Sequence, residues 1–258
     1  GFLMDGILLL EKQKETDHYQ IQSLPINSGV FCLKKDRFQD VVWIGTDGQG
    51  VYLYSNPLYS IKSMVLSNYT EKIERPVRAI YLDDECTFWV GTKGNGILKI
   101  YDYEFDKNIS DCRAEVLTTS NRALSSNVVY CFAKSHRNLL WIGDEEGLTY
   151  YSYREKRIKS IPIRIGNEDF KYIHDIYETA DSELWLASVG MGVVKARIAG
   201  TPDNPVIVDA QRYIINDGEL GSNYFFTIYA ENEANLLFGN KGYGVFRYNE
   251  TTNGLEPV

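Results

Sequence analysis

The sequence predicts an all-β chain, a β-propeller of four-stranded antiparallel blades, and three observations predict it. All four tryptophans sit at one place in one short phrase: Val42-Trp43-Ile44-Gly45, Phe88-Trp89-Val90-Gly91, Leu140-Trp141-Ile142-Gly143 and Leu184-Trp185-Leu186-Ala187. A fifth copy, Leu236-Leu237-Phe238-Gly239, has leucine in the tryptophan's place. Each copy is followed by a second glycine and an apolar or aromatic run, as in Gly50-Val51-Tyr52-Leu53-Tyr54 and Gly96-Ile97-Leu98-Lys99-Ile100. The copies recur at 46, 52, 44 and 52 residues, the period of a propeller blade of four strands.

Each strand follows from its residues. The A strands begin at Val30, Val77, Val129, Ile173 and Phe225 and are short, β-branched or aromatic runs bounded by turn formers. Before three of them lie Asn27-Ser28-Gly29, Ser125-Ser126-Asn127 and Gly221-Ser222-Asn223. Asn tolerates the left-handed region there and Ser bonds to nearby backbone. The B strands carry the tryptophan, and the C strands follow the second glycine, whose freedom at positive φ suits a tight B-to-C hairpin. The D strands are the least regular, expected at 19–24, 60–66, 114–118, 157–161 and 206–213. No stretch has a long helical period with caps, so helix content is expected to be low.

The tryptophans are assigned a structural role. A propeller buries each sheet between its neighbours, a large side chain from strand B fills that gap, and its indole N–H needs one partner. Gly6-Ile7-Leu8-Leu9-Leu10 repeats the C-strand phrase 44 residues before Gly50, so the chain is expected to open inside a blade. The expected organisation is a partial blade over 1–26 and blades over 27–73, 74–122, 123–168, 169–219 and 220–258, about five and a half in all.

Composition narrows the partners. The 258 residues carry 27 Lys and Arg against 35 Asp and Glu, a formal net charge of −8, with no basic stripe. That disfavours nucleic acid and anionic membrane as partners. No apolar run approaches the roughly 18 residues that span a bilayer, so no membrane contact is expected of this segment. No signal peptide is visible, but a chain that opens mid-blade says nothing about its compartment. The cysteines, Cys32, Cys86, Cys112 and Cys131, form no Cys-x-x-Cys pair. Cys32 and Cys131 fall at one strand A site two blades apart, too far for a disulfide, and are expected as small buried thiols.

The phrase running from Val30 to Tyr54, from Val77 to Ile100 and from Asn127 to Tyr151 resembles the two-component regulator propeller repeat, as does Ala123-Leu124-Ser125-Ser126-Asn127-Val128-Val129. The two later copies depart, with Ala187-Ser188 and Leu237 in place of the usual residues. The resemblance implies the periplasmic sensor region of a bacterial hybrid two-component regulator. Such a region is the extracytoplasmic part of an inner-membrane histidine kinase, with seven-bladed propellers, a homodimeric parent and oligosaccharide sensing. On that reading the missing blades lie elsewhere in the parent, and the other domains of the parent are this segment's partners.

Enzyme and cofactor readings find little support. No Gly-x-Ser-x-Gly or His-Glu-x-x-His is present, and no cofactor is expected. Gly91-Thr92-Lys93-Gly94-Asn95-Gly96 looks like a phosphate loop but joins two strands and precedes no helix. Asp83-Asp84-Glu85 lacks a calcium-loop spacing and is expected to be a solvated turn. His18, His136 and His174 are too scattered for a metal site.

Binding has a geometric basis. In a propeller the D-to-A and B-to-C loops surround the mouth of the central channel, where loops vary on a rigid scaffold. Phe31, Arg78, Tyr130, His174 and Phe226 occupy one equivalent position just inside strand A. Gln49, Lys93, Asn95, Glu145, Met191 and Tyr243 come from the B-to-C loops. This mixture of aromatic faces and hydrogen-bonding groups suits a sugar. Two alternatives stand: a scaffold or dimerisation propeller with the ligand held elsewhere, and a propeller lyase or hydrolase. The enzyme would need a carboxylate pair or a His–Tyr pair at the channel mouth. An exposed apolar patch would favour the scaffold.

Overall fold

A computed structural model describes residues 6–12, 19–37, 41–55, 62–64, 66, 73–103, 112–121, 123–216 and 221–258. His18 and parts of the D strand expected at 60–66 lie outside the described residues. The chain divides into two compact units, Gly1–Val116 and Leu117–Val258. Among the described residues no helix is long and apolar enough to cross a membrane.

The first unit opens with a hairpin of β1 (Leu8–Lys12) and β2 (Tyr19–Ser23). A four-stranded sheet follows: β3 (Val30–Lys35), β4 (Val41–Thr46), β5 (Val51–Ser55) and β6 (Lys62–Met64). The next comprises β7 (Val77–Leu82), β8 (Phe88–Thr92), β9 (Ile97–Ile100) and β10 (Ala114–Leu117), whose last residue is the first of the second unit. The second unit holds three such sheets. They are β11 (Val129–Lys134), β12 (Leu139–Asp144), β13 (Leu148–Ser152) and β14 (Arg157–Ile161); then β17 (Ile173–Glu178), β18 (Glu183–Ser188), β19 (Gly192–Thr201) and β20 (Asn204–Tyr213); then β21 (Phe225–Asn232), β22 (Asn235–Asn240), β23 (Gly244–Asn249) and β24 (Gly254–Pro257). In each sheet the strands lie in chain order.

Within each unit the A strands of successive sheets lie side by side, β3 with β7, and β11 with β17 with β21. Sheets gathered by their first strands are propeller blades, and the fold is an all-β propeller of four-stranded antiparallel blades. Two elements have no counterpart in the sequence reading: β24, and a two-residue-per-strand hairpin of β15 (Arg164–Ile165) and β16 (Glu168–Asp169). The two blades with the altered phrase keep four strands, with an additional register shift at Arg197/Ile198 in one and at Ala230/Asn232 in the other.

Three of the four tryptophans fill the space between sheets of the same unit. In the first unit Trp43 of β4 meets Phe88 of β8 and Tyr103, with ring centroids 4.6 and 5.3 Å away. In the second, Trp141 packs with Ile176, Leu184 and Leu186 of the following sheet, and Trp185 lies 4.7 Å from Tyr248 and 5.6 Å from Phe238. A buried aromatic of this size contributes a large share of a blade interface. Leu237, in the fifth copy, is only half-buried.

The indole partners differ between blades. Trp43 Nε1 donates to Asp36 Oδ2 (2.9 Å) and Trp89 Nε1 to Asp83 Oδ2 (2.8 Å), both in the A-to-B turn of the same sheet. The equivalent turn residues in the next two sheets are Ser135 and Thr179, as their shared backbone bonds to strand B show. With no carboxylate in its own turn, Trp141 Nε1 donates across the interface to Glu178 Oε2 of β17 (2.7 Å). Asp83 corrects the sequence reading. It is not solvated but buried, its Oδ1 accepting from the backbone N–H of Glu85 (3.0 Å) and Thr87 (2.8 Å). A buried carboxylate needs such donors, and the turn supplies them.

The glycine of the Trp phrase is required by close packing. A Cβ on Gly143 would stand 2.5 Å from Cys131 Sγ and 2.5 Å from the Ile173 carbonyl oxygen of the next sheet. The second glycine is required by backbone conformation: Gly192 has φ +85° and a Cβ there would meet the Tyr213 carbonyl oxygen at 2.3 Å.

Candidate functional site

One backbone frame recurs at the start of every strand A. The residue before the strand accepts a hydrogen bond from the B-to-C loop of its own sheet. Gly29 accepts from Asp47 (2.9 Å), Pro76 from Lys93 (2.9 Å), Val128 from Glu145 (3.1 Å), Tyr172 from Val189 (3.2 Å) and Tyr224 from Lys241 (2.9 Å). The turn residues complete it: Ser28 Oγ donates to the Asp47 carbonyl (2.9 Å), and Ser222 Oγ to the Lys241 carbonyl (3.2 Å). Two loops are thereby pinned together beside each inner strand.

Two residues further on, every A strand is bulged. The register shifts between Val30 and Cys32, Val77 and Ala79, Val129 and Cys131, Ile173 and Asp175, and Phe225 and Thr227. The extra residues are therefore Phe31, Arg78, Tyr130, His174 and Phe226, the five positions read as equivalent in the sequence. A bulge leaves one residue without a cross-strand partner and re-aims its side chain.

Within each unit these residues touch one another. In the first, the Arg78 guanidinium lies over the Phe31 ring, 3.8 Å from its centroid, a cation–π contact. In the second, Tyr130 and His174 stack with centroids 3.9 Å apart, and Phe226 meets His174 edge-on at 5.2 Å. Four of the five are half-buried and Phe226 is exposed, so each group presents ring surface while its members brace one another.

The loop residues divide. Lys93 and Tyr243 are exposed. Asn95 Oδ1 accepts from the N–H groups of Glu74 (3.2 Å) and Arg75 (2.9 Å), fixing the segment that leads into β7. Gln49 accepts from Tyr52 Oη (2.8 Å) and donates to the Asn27 carbonyl (3.4 Å). Glu145 Oε2 accepts from Ser126 Oγ (3.5 Å), and Met191 Sδ from the Lys171 N–H (3.3 Å). Asn95, Gln49 and Met191 thus hold loops in place. Tyr172 and Tyr224, exposed one residue before β17 and β21, were missed by sequence reasoning. Aligning them with Gly29, Pro76 and Val128 would have found them.

Burial suppresses ionisation of two of the thiols. Burial pushes the Cys32 thiol up to about 12 and the Cys131 thiol well above its ordinary value, so neither is a thiolate nucleophile at neutral pH. All four cysteines are free thiols. Burial also raises the Asp144 carboxyl to about 6, against the opposing bonds from Ser125 Oγ, the Glu146 N–H and the Gly147 N–H. That carboxylate closes the B-to-C hairpin and belongs to the framework.

No model of a known protein family matches the chain. Among curated proteins it is similar to translation initiation factor 6 of Saccharolobus solfataricus, 28% identical over 140 residues, covering 49% of this chain and 57% of that protein. Among solved structures it is similar to the extracellular domain of BT3049 from B. thetaiotaomicron, assigned to a hybrid two-component system. The TM-score is 0.71 at 21% identity, over 100% of this chain and 32% of that one. It is similar to the extracellular domain of BT4673 from the same organism, assigned to a one-component system (TM-score 0.59, 14% identity, 99% and 46% covered). It is also similar to virginiamycin B lyase from Staphylococcus aureus (0.68, 15%, 97% and 77%). The chain spans about a third of the first of these structures and just over half of the curated relative. What the chain shares with these solved structures is the fold.

Proposed function

We propose that this propeller is the sensory part of an extracytoplasmic signalling protein, binding a small saccharide and relaying its presence to the rest of that protein. One observation carries the reading: each inner strand sets out one bulged residue, and these residues gather into ring surfaces, Arg78 on Phe31 and Tyr130–His174–Phe226. Aromatic faces accept the C–H faces of a sugar ring, and polar edges meet its hydroxyls. The likeness in fold to two extracellular domains of signalling systems supports an extracytoplasmic location, and the proposal extends this to the periplasm and to a membrane-anchored, dimeric parent kinase. Ligand would act by differential affinity for two arrangements of the parent's domains or subunits.

The test is isothermal titration of the complete extracytoplasmic region of the protein with a panel of oligosaccharides, repeated with Arg78→Ala, Tyr130→Ala and His174→Ala. Loss of one stacking partner is expected to weaken binding about threefold to tenfold. Binding unchanged by all three variants would move the ligand elsewhere and leave a scaffold, a reading to which the exposed Val206 and Val208 on the outer strand β20 lend some support.

A second reading has its own observation. A propeller lyase needs a proton-transferring pair, and Tyr130 and His174 are in contact. Face-to-face stacking favours packing over a shared approach to one substrate atom. An unsaturated product formed from an oligosaccharide by the native protein, and lost with Tyr130→Phe, would favour the lyase.

A further inference from the structure

The geometry points to a second ligand site, for a small carboxylate-bearing molecule with an apolar or C–H face, in the cleft beside the β15–β16 hairpin. The cleft holds about 590 Å³ and is walled by Glu168, Lys171, Met191, Arg212, Ile214 and Asn223, all of the second unit. A volume of this order suits a ligand of one or two rings. None of the bulged residues lines it.

Its charges are arranged unevenly. Arg212 donates to Glu168 Oε2 at 3.0 Å, and the Lys171 ammonium to Glu146 Oε2 at 2.6 Å. In both pairs the cation is the more enclosed partner, Arg212 with 28% of its side chain exposed against 65% for Glu168, and Lys171 with 36% against 49% for Glu146. Asp169, also on the wall, is turned to Arg164 Nε at 2.8 Å. The cations are therefore the more enclosed halves of weak, solvent-screened pairs, and Glu168 is the more exposed group on the wall. An arriving carboxylate can take the place of Glu168 on Arg212, in the two-pronged geometry a guanidinium offers.

The neighbouring surface is shaped for the rest of such a ligand. Met191 is fixed by the Lys171 N–H on its sulfur (3.3 Å), and Ile214 is exposed, giving an apolar patch beside the two cations. Asn223 is locked by two bonds to the backbone of Ile215, accepting at 2.8 Å and donating at 3.1 Å. Its carbonyl accepts from the N–H of Gly190 (2.8 Å) and Gly192 (3.1 Å). These bonds hold the far wall rigid, so the site is preorganised, which lowers the cost of binding.

The whole protein would be titrated with glucuronate, with cyclohexanecarboxylate and with glucose. The acids are expected to bind in a way that depends on Arg212, and any glucose bound at the ring surfaces is expected not to. Binding of glucuronate alone identifies an acidic sugar, and binding of both acids identifies a carboxylate read without hydroxyls. Arg212→Gln is expected to weaken acid binding by about tenfold or more. Glu168→Gln is expected to tighten it about twofold to fivefold by removing the competitor, and this opposite sign separates displacement from a loss of folding. His174→Ala should leave cyclohexanecarboxylate binding unchanged while weakening saccharide binding at the ring surfaces, so that failure of this site and failure of the saccharide reading are told apart. Acid binding unchanged by Arg212→Gln, no binding of either acid at millimolar concentration, or weaker binding by Glu168→Gln would overturn the proposal.

Discussion

Replacing Trp141 by phenylalanine tests whether two neighbouring blades are tied by a hydrogen bond as well as by packing. The indole N–H is the donor that Glu178 Oε2 receives at 2.7 Å; the same oxygen also accepts the His136 N–H at 3.2 Å, and Arg137 Nε lies 3.8 Å from Oε1. Loss of the indole removes one donor from a buried carboxylate, a cost of about 1–3 kcal/mol. The phenyl ring is smaller by roughly 40 Å³, and the cavity adds about 1 kcal/mol at roughly 24 cal/mol per Å³. The sum is about 2–4 kcal/mol, with the lower half favoured because the His136 bond remains. The assay is equilibrium urea unfolding of Trp141→Phe, Glu178→Met and the double variant. The double variant should cost about 1–2 kcal/mol less than the two single costs together, since it removes donor and acceptor at once. Additivity to within about 0.5 kcal/mol would refute the reasoning.

Asp144 gives a pH signature. Its folded value of about 6 lies above the ordinary 3.8, so between these values the folded state holds more proton than the unfolded one. Its contribution to stability is therefore fully present below about pH 4 and is lost as pH rises through about 6. Asp144→Asn keeps an acceptor for the Glu146 and Gly147 N–H groups and can donate to Ser125. By urea unfolding, its stability relative to the native protein should rise across that window, by at most about 3 kcal/mol; a relative fall would count against it. Gly143→Ala should lower stability by about 1–3 kcal/mol, and adding Cys131→Ala should restore only part, because the Ile173 carbonyl still opposes the new methyl. Full restoration by thermal melting would show that the sulfur alone sets the limit.

The fold was legible because its determinants are local and repeated. The Trp phrase, the second glycine and the polar turn before strand A each name one piece of a blade, and the A, B and C strands follow them closely. The D strands and the β15–β16 hairpin were harder, since outer strands such as β14 and β20 face solvent on much of their length and carry little hydrophobic pattern. The acidic turn was misread because nothing in Asp83-Asp84-Glu85 tells which carboxylate turns inward to the tryptophan. At the candidate site, register alone placed Phe31, Arg78, Tyr130, His174 and Phe226 at one position, but not the bulge that frees them. The fixing roles of Asn95 and Met191 depend on partners 20 residues away in each case, a distance no local motif records.

The bulge has an evolutionary consequence. Most residues of an antiparallel ladder answer to a neighbour across the strand, so a change at one constrains a change at another. The extra residue of each inner strand is released from that ladder and packs instead on its counterpart in the neighbouring blade, and phenylalanine, arginine, tyrosine and histidine all occupy it in this one chain. Descendants of the same scaffold can therefore explore new specificities by changing these touching residues together, Phe31 with Arg78 and Tyr130 with His174 and Phe226, while the ladder pairings are inherited intact. A library randomised at these five positions would sample that space with the core sequence untouched.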